Sequence, residues 1–169
     1  SWTGVSWDFV SAGNRDAFAL APETYAPQFG GHCATSLSRG YLSDGKPATQ
    51  PTEVYLGYDA RNLYAVFVAF DNEPDKVRGT MARRENIDNS DDWIEVAIDT
   101  FNDQRHAYLF DCNSLGVQWD ALYQESRGNV LSGGEDQSFD TLWYSEGRIT
   151  RGGFVVWIAI PFRSLRFPD

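Results

Sequence analysis

From residue 52 onward, hydrophobic and polar positions fall into short runs separated by turn-forming residues. The runs are TEVYLGYD (52–59), NLYAVFVAF (62–70), DDWIEVAID (91–99), HAYLFDCN (106–113), VQWDALYQ (117–124), LWYSEGRITR (142–151) and GFVVWIAIP (153–161). Their β-branched and aromatic content predicts strands. Side chains alternate between the two faces of a strand. Ile94, Val96 and Ile98 therefore share one face, and Trp93, Glu95, Ala97 and Asp99 the other. In VQWDALY, Gln118, Asp120 and Leu122 share one face, while Val117, Trp119, Ala121 and Tyr123 share the other. NLYAVFVAF and FVVWIAI are apolar on both faces, which predicts central strands covered on both sides, with Trp157 in the core. YDARN between the first two runs predicts a tight hairpin turn. EPDKVRGTMARREN (73–86) reads as an excursion outside the strands and SRGNVLSGGEDQS (126–138) as a long loop. Many strands with frequent turns and little helical signal predict a mainly β protein, an antiparallel β-sandwich of immunoglobulin-like or jelly-roll-like type.

The texture differs ahead of this region. SDGKPATQPT (43–52) has Gly45, Pro47 and Pro51 and no apolar periodicity, so it reads as a linker. Before it, VSWDFVS (5–11) alternates like a strand. NRDAFALA (14–21) reads as a short helix, with Asn14 as N-cap and Pro22 as its stop. YAPQFGGHCATSLSRG (25–40) reads as a turn leading into a second short helix. The expected organisation is a small α+β segment over 1–42, a linker over 43–52 and the sandwich over 53–169.

Composition narrows the partners. A formal net charge of -10 argues against nucleic acid or an anionic membrane as the main partner, since both attract basic surfaces. A neutral glycan or a cation is compatible with it. The longest apolar run, Phe154–Ile160, is too short to span a bilayer, so direct membrane insertion is not expected. No targeting segment is legible. Cys33 and Cys112 form no CxxC pair, and with His32 and His106 they fall short of an evident structural zinc set. A Cys33–Cys112 disulfide would need an oxidising compartment, and two unrelated thiols are the simpler reading.

Aromatic residues make up 15% of the chain, which directs attention to sugar binding. Aromatic rings stack on the apolar C–H faces of sugars while polar neighbours bond the hydroxyls. Trp93, Trp119, Tyr123 and Trp143 are the candidate platforms, with Glu95 and Asp120 as polar partners. Glycoside hydrolysis needs two carboxyl groups roughly 5–9.5 Å apart. Glu95 and Asp99 lie on one strand face, but their Cα atoms are roughly 13 Å apart at the usual rise. Catalysis is therefore not expected. No GxSxG, P-loop, HExxH or dinucleotide fingerprint occurs. The acidic loops DNEPD (71–75), DNSDD (88–92) and GGEDQSFD (133–140) could supply oxygens to calcium, though none has EF-hand spacing. No cofactor beyond calcium is suggested.

Two stretches carry family resemblances. W-D-F-x-S-A-x-N-R-D-A-F (7–18) followed by P-E-x-Y-A-P-Q-F-G-G-H-C-A (22–34) resembles the later part of the YHS domain family. That resemblance implies metal association through His32 and Cys33. PATQPTEVYLGYDARNLYAVFVAFD, RRENIDNSDDWIEVAIDTFND, YLFDCNSLGVQWDALY and WYSEGRITRGGFVVWIAIPFRSLRFP, over about residues 47–168, resemble the carbohydrate-binding module family nine-like domains. The likeness is to the version at the front of large bacterial outer-membrane-associated proteins. It implies a β-sandwich, non-catalytic glycan binding, sometimes structural calcium, and an extracytoplasmic location: periplasmic, cell-surface or secreted. Glu95 matches the motif's glutamate. Sugar-binding members carry a stacking Trp ahead of this strand, where this chain has ENIDNSDD, and an Arg on the next strand, where it has Phe110. The likeness runs out at RFPD, ahead of the closing strands such domains carry. Three functions follow as expectations: a glycan-binding module, an assembly module pairing through open sheet edges with a protein partner or a second copy, and metal binding by the YHS-like segment.

Overall fold

The computed structural model describes residues 15, 16, 19, 20, 50–103, 105–124 and 134–167. Arg15, Asp16, Ala19 and Leu20 are helical, as NRDAFALA predicts. The rest of the YHS-like segment, with His32 and Cys33, lies outside the described residues. Residues 50–167 belong to one unit, 43–169. Among the described residues no helix is long and apolar enough to cross a membrane.

Among the described residues eight strands form two four-stranded antiparallel sheets. The first sheet has the order β1 (Thr52–Tyr58), β2 (Asn62–Phe70), β8 (Gly153–Pro161), β7 (Tyr144–Thr150). The second has the order β3 (Trp93–Ile98), β4 (His106–Asn113), β5 (Gln118–Gln124), β6 (Glu135–Asp136). The chain thus makes one hairpin, crosses to build a meander, and returns to add a second hairpin beside the first. The sheets are not closed into a barrel, so β1, β7, β3 and β6 are edges. All seven strands expected from residue 52 onward are present, while the strand expected over 5–11 lies outside the described residues. The eighth, β6, is two residues inside the expected long loop, too short for alternation to reveal. β1 begins at Thr52, the last residue of the expected linker, and Pro51 already accepts a backbone bond from Phe70.

β2 and β8 are central, as their doubly apolar pattern predicts. Their register aligns Leu63 with Ile160, Ala65 with Ile158, Phe67 with Val156 and Ala69 with Phe154. Ala65, Val156, Ile158 and Ile160 are buried in the core with Tyr108, Phe110 and Cys112 of β4. Ile94, Val96 and Ile98 pack against this cluster from β3, as alternation predicts. Val54, Leu56 and Tyr58 share the inward row of β1 by register, yet stay about half exposed at 49%, 54% and 58%. The packed interior is therefore centred on β2, β8 and β4.

Trp157 departs from its expected place. It belongs to the opposite face of β8 from Val156 and Ile158 and is 38% exposed. Both faces of β8 are apolar, so periodicity alone could not rank them. Cys112 is a free thiol, fully buried, and burial pushes its pKa up to about 11. Gly147 of β7 is a point of close backbone approach. A Cβ there would lie 2.3 Å from the Gly116 nitrogen and 2.7 Å from the Ser114 oxygen, in the β4–β5 turn.

The acidic loops close on themselves. Asp91 accepts bonds from the Thr80 N–H (3.0 Å), the Thr80 hydroxyl (2.9 Å) and the Asn113 amide (2.7 Å), tying the 78–92 excursion to β4. Asp92 accepts the Arg78 N–H, and Asp88 and Asp136 each accept the hydroxyl and N–H of the serine two residues on. Those serine bonds hold Asp88 and Asp136 below the ordinary carboxylate value of 3.8. Burial pushes Asp91 upward, but its three hydrogen-bond donors outweigh it and the net shift is down. A depressed folded pKa contributes stability that is present above the unfolded value and lost as pH falls through the folded one. The thermal midpoint should therefore hold between about pH 7 and 5 and fall below about pH 4. Circular-dichroism melts across that range test this, and a midpoint unchanged down to about pH 3 would contradict it.

Candidate functional site

A concave surface lies at one end of the first sheet, on its outer face. Its first wall is the β1–β2 turn. Asp59 accepts the N–H groups of Arg61 (2.7 Å) and Asn62 (2.8 Å), the local bonding that makes Asp a turn former. The other carboxylate oxygen accepts the Tyr64 hydroxyl at 2.9 Å, and the Asn62 amide donates to that hydroxyl at 3.0 Å. The backbone N–H groups first, then Tyr64, hold Asp59 below its ordinary pKa.

The second wall is a 3-10 turn, Phe162–Ser164, that follows β8. The Phe162 N–H donates to the Arg61 carbonyl at 2.8 Å, and the Ser164 hydroxyl donates to the Leu142 carbonyl at 2.7 Å. The turn is thus pinned to the β2 side and to the β7 side of the sheet. Arg163 sits between these two anchors.

Register places the two tyrosines that line this surface on the same face of the sheet. Tyr64 on β2 aligns with Ala159 on β8, and Ala159 aligns with Tyr144 on β7. A small residue therefore separates two tyrosines on one face. The outer strands of such a trio are roughly 9.5 Å apart. Tyr144 is 49% exposed and Ala159 is buried between its neighbours. Trp157 extends the aromatic surface, with its ring 6.3 Å from that of Tyr64 at 27°. The cleft has a volume of about 540 Å3, with Asn62, Arg61 and Arg163 at its rim. Among the described residues Asp59 is the one carboxylate lining it, and its oxygens are used within the turn.

The residues singled out by sequence fall in two other places. Trp93, Glu95, Trp119 and Tyr123 share the outer face of the second sheet. Glu95 aligns with Asp111, and Asp111 with Trp119, so one row holds all three. Trp93 is 42% exposed and aligns with Asn113.

Asp120 and Trp143 are interior residues and do not join that surface. Asp120 lies on the face of β5 that opposes Phe110, the inner face, and is fully buried. It accepts the Trp143 indole N–H (3.0 Å), the Thr141 N–H (3.0 Å) and the Arg84 guanidinium. Trp143 is 2% exposed, packs edge-on to Phe110 and lies under the Arg84 guanidinium at 5.9 Å. Glu85, Asp120 and Asp140 converge within 4.8 Å, a grouping with the donors of a cation site. The Arg84 guanidinium meets all three. Burial pushes the Glu85 carboxyl upward. His32 and Cys33 are outside the described residues.

Sequence reasoning missed Tyr64, Tyr144, Arg61 and Arg163. A signal existed at one of them: the YDARN turn places Asp59 where it fixes the start of β2. Tyr64 sits inside a run that is apolar on both faces, and the pattern does not say which face is outer. Comparison of the chain with protein-family models, with curated proteins and with solved structures finds no match.

Proposed function

We propose that this chain is a non-catalytic glycan-binding module whose site is the cleft between Tyr64 and Tyr144. The observation that carries this reading is that Tyr64 and Tyr144 line one cleft and share one face of the first sheet, with the small Ala159 between them in register. Aromatic walls suit the C–H faces of a pyranose, and Asn62 and the arginines at the rim suit its hydroxyls. Paired-carboxylate hydrolysis uses two carboxyl groups beside the sugar, and among the described residues the cleft is lined by Asp59 alone. The second-sheet row Glu95–Asp111–Trp119 has the same strand spacing, but a largely buried carboxylate rather than a small residue stands at its middle.

Calorimetry against a panel of neutral and acidic oligosaccharides tests the reading, with Tyr144→Ala beside the wild type. Tyr144 is an exposed edge-strand residue, so its loss leaves the core intact. Affinity should fall roughly tenfold, the scale of one lost aromatic contact. No binding across the panel by folded protein would remove the proposal, and binding indifferent to Tyr144→Ala would remove this cleft as the site.

A further inference from the structure

We infer that the cleft selects an acidic saccharide, one bearing a carboxylate or sulfate group, through Arg61 and Arg163; this rests on the glycan-binding reading of the same site. The chain has 24 acidic residues against 14 basic ones, so its surface as a whole repels anionic ligands. The cleft is a local exception. Arg61 and Arg163 both line it, and among the described residues neither guanidinium makes an ion pair. Other exposed arginines also lack ion pairs, but these two line one cleft with a pair of tyrosines.

Their placement is fixed by the backbone rather than by carboxylates. The Arg61 carbonyl accepts the Phe162 N–H at 2.8 Å, and Arg163 follows Phe162 in the turn that Ser164 anchors to Leu142. The two guanidinium-bearing segments are thereby joined across the end of the sheet. Asp59 offsets part of this charge, but its oxygens accept the Arg61 and Asn62 N–H groups and the Tyr64 hydroxyl. Its oxygens make no ion pair with either guanidinium, although its charge still acts on Arg61, so the two forks keep their donors for a ligand. Arginine presents paired N–H donors that match the two oxygens of a carboxylate or the oxygens of a sulfate. A sugar ring held between Tyr64 and Tyr144 with an acidic substituent toward the rim uses both features together. With a neutral sugar, the two guanidinium groups would have only Asp59 as a counter-charge within the cleft lining.

The test is calorimetry with three probes: a neutral xylo-oligosaccharide, an oligogalacturonate and a sulfated oligosaccharide. Each is measured at about 50 mM and about 500 mM salt, where screening separates charge from stacking. At low salt at least one acidic probe should bind about tenfold or more tighter than the neutral one, and the advantage should shrink at high salt. Arg61→Gln and Arg163→Gln, shown to be folded by circular dichroism, should each collapse the acidic-to-neutral affinity ratio several-fold. Preference for the oligogalacturonate or for the sulfated probe identifies the acidic group. A neutral probe that binds as tightly as both acidic ones, or a ratio unmoved by both substitutions, overturns the inference while glycan binding stands. Failure of all three probes to bind overturns both.

Discussion

Asp120→Ala should lower the unfolding free energy by about 3 kcal/mol and the thermal midpoint by roughly 10 °C. Asp120 is fully buried and accepts three donors: the Trp143 indole, the Thr141 N–H and the Arg84 guanidinium. Removing the carboxylate leaves the indole and the backbone N–H without an acceptor and takes the buried partner from Arg84. The Arg84 side chain is 31% exposed and also meets Glu85 and Asp140, so its charge is not wholly stranded. That keeps the cost at the lower end of the range for breaking a buried pair. Asp120→Asn retains an acceptor for the indole but gives up the charge, so its cost should be smaller. Urea unfolding of the two variants provides the measurement. A loss below about 1 kcal/mol for Asp120→Ala would mean that the network does not hold the 139–143 segment in place.

Phe110→Ala should cost about 4 kcal/mol. Phe110 is 0% exposed, lies between Val96 and Asp120 in the register of the second sheet, and meets Trp143 edge-on at 5.3 Å. It joins the two hydrophobic contributions to the interior, the β4 row and the residue that leads into β7. The truncation removes both the buried ring and its contact with Trp143. The surrounding strands are held by their ladders and cannot collapse into the hole, so a cavity term adds to the transfer term. Phe110→Leu should lose less than half as much, because most of the volume is kept. Equal losses for the two variants would place the energy in the aromatic contact rather than in the cavity.

These two substitutions bear on the difference between what could be foreseen and what could not. Phe110 is foreseeable as core, since HAYLFDCN alternates and Tyr108, Phe110 and Cys112 share a face. Asp120 is not. A carboxylate within an aromatic strand suggests a surface group, and the guanidinium that holds it inside belongs to the excursion before β3. Charges of opposite sign can be buried together only when the fold brings them together, and nothing local announces such a pair.

The sequence by itself determined the strands, the turn at Asp59, the central positions of β2 and β8 and the inward row Ile94, Val96 and Ile98. Each depends on local composition or on a period of two, which a single segment carries in full. Tertiary structure alone decided which face of a doubly apolar strand became the outer one. It put Trp157 and Tyr64 outside, turned Asp120 and Trp143 inward, and made the cleft. The cleft needs β2, β8 and β7 side by side, and Tyr64, Ala159 and Tyr144 in one row. That adjacency is a property of how distant segments pair, so no one of the three strands contains it.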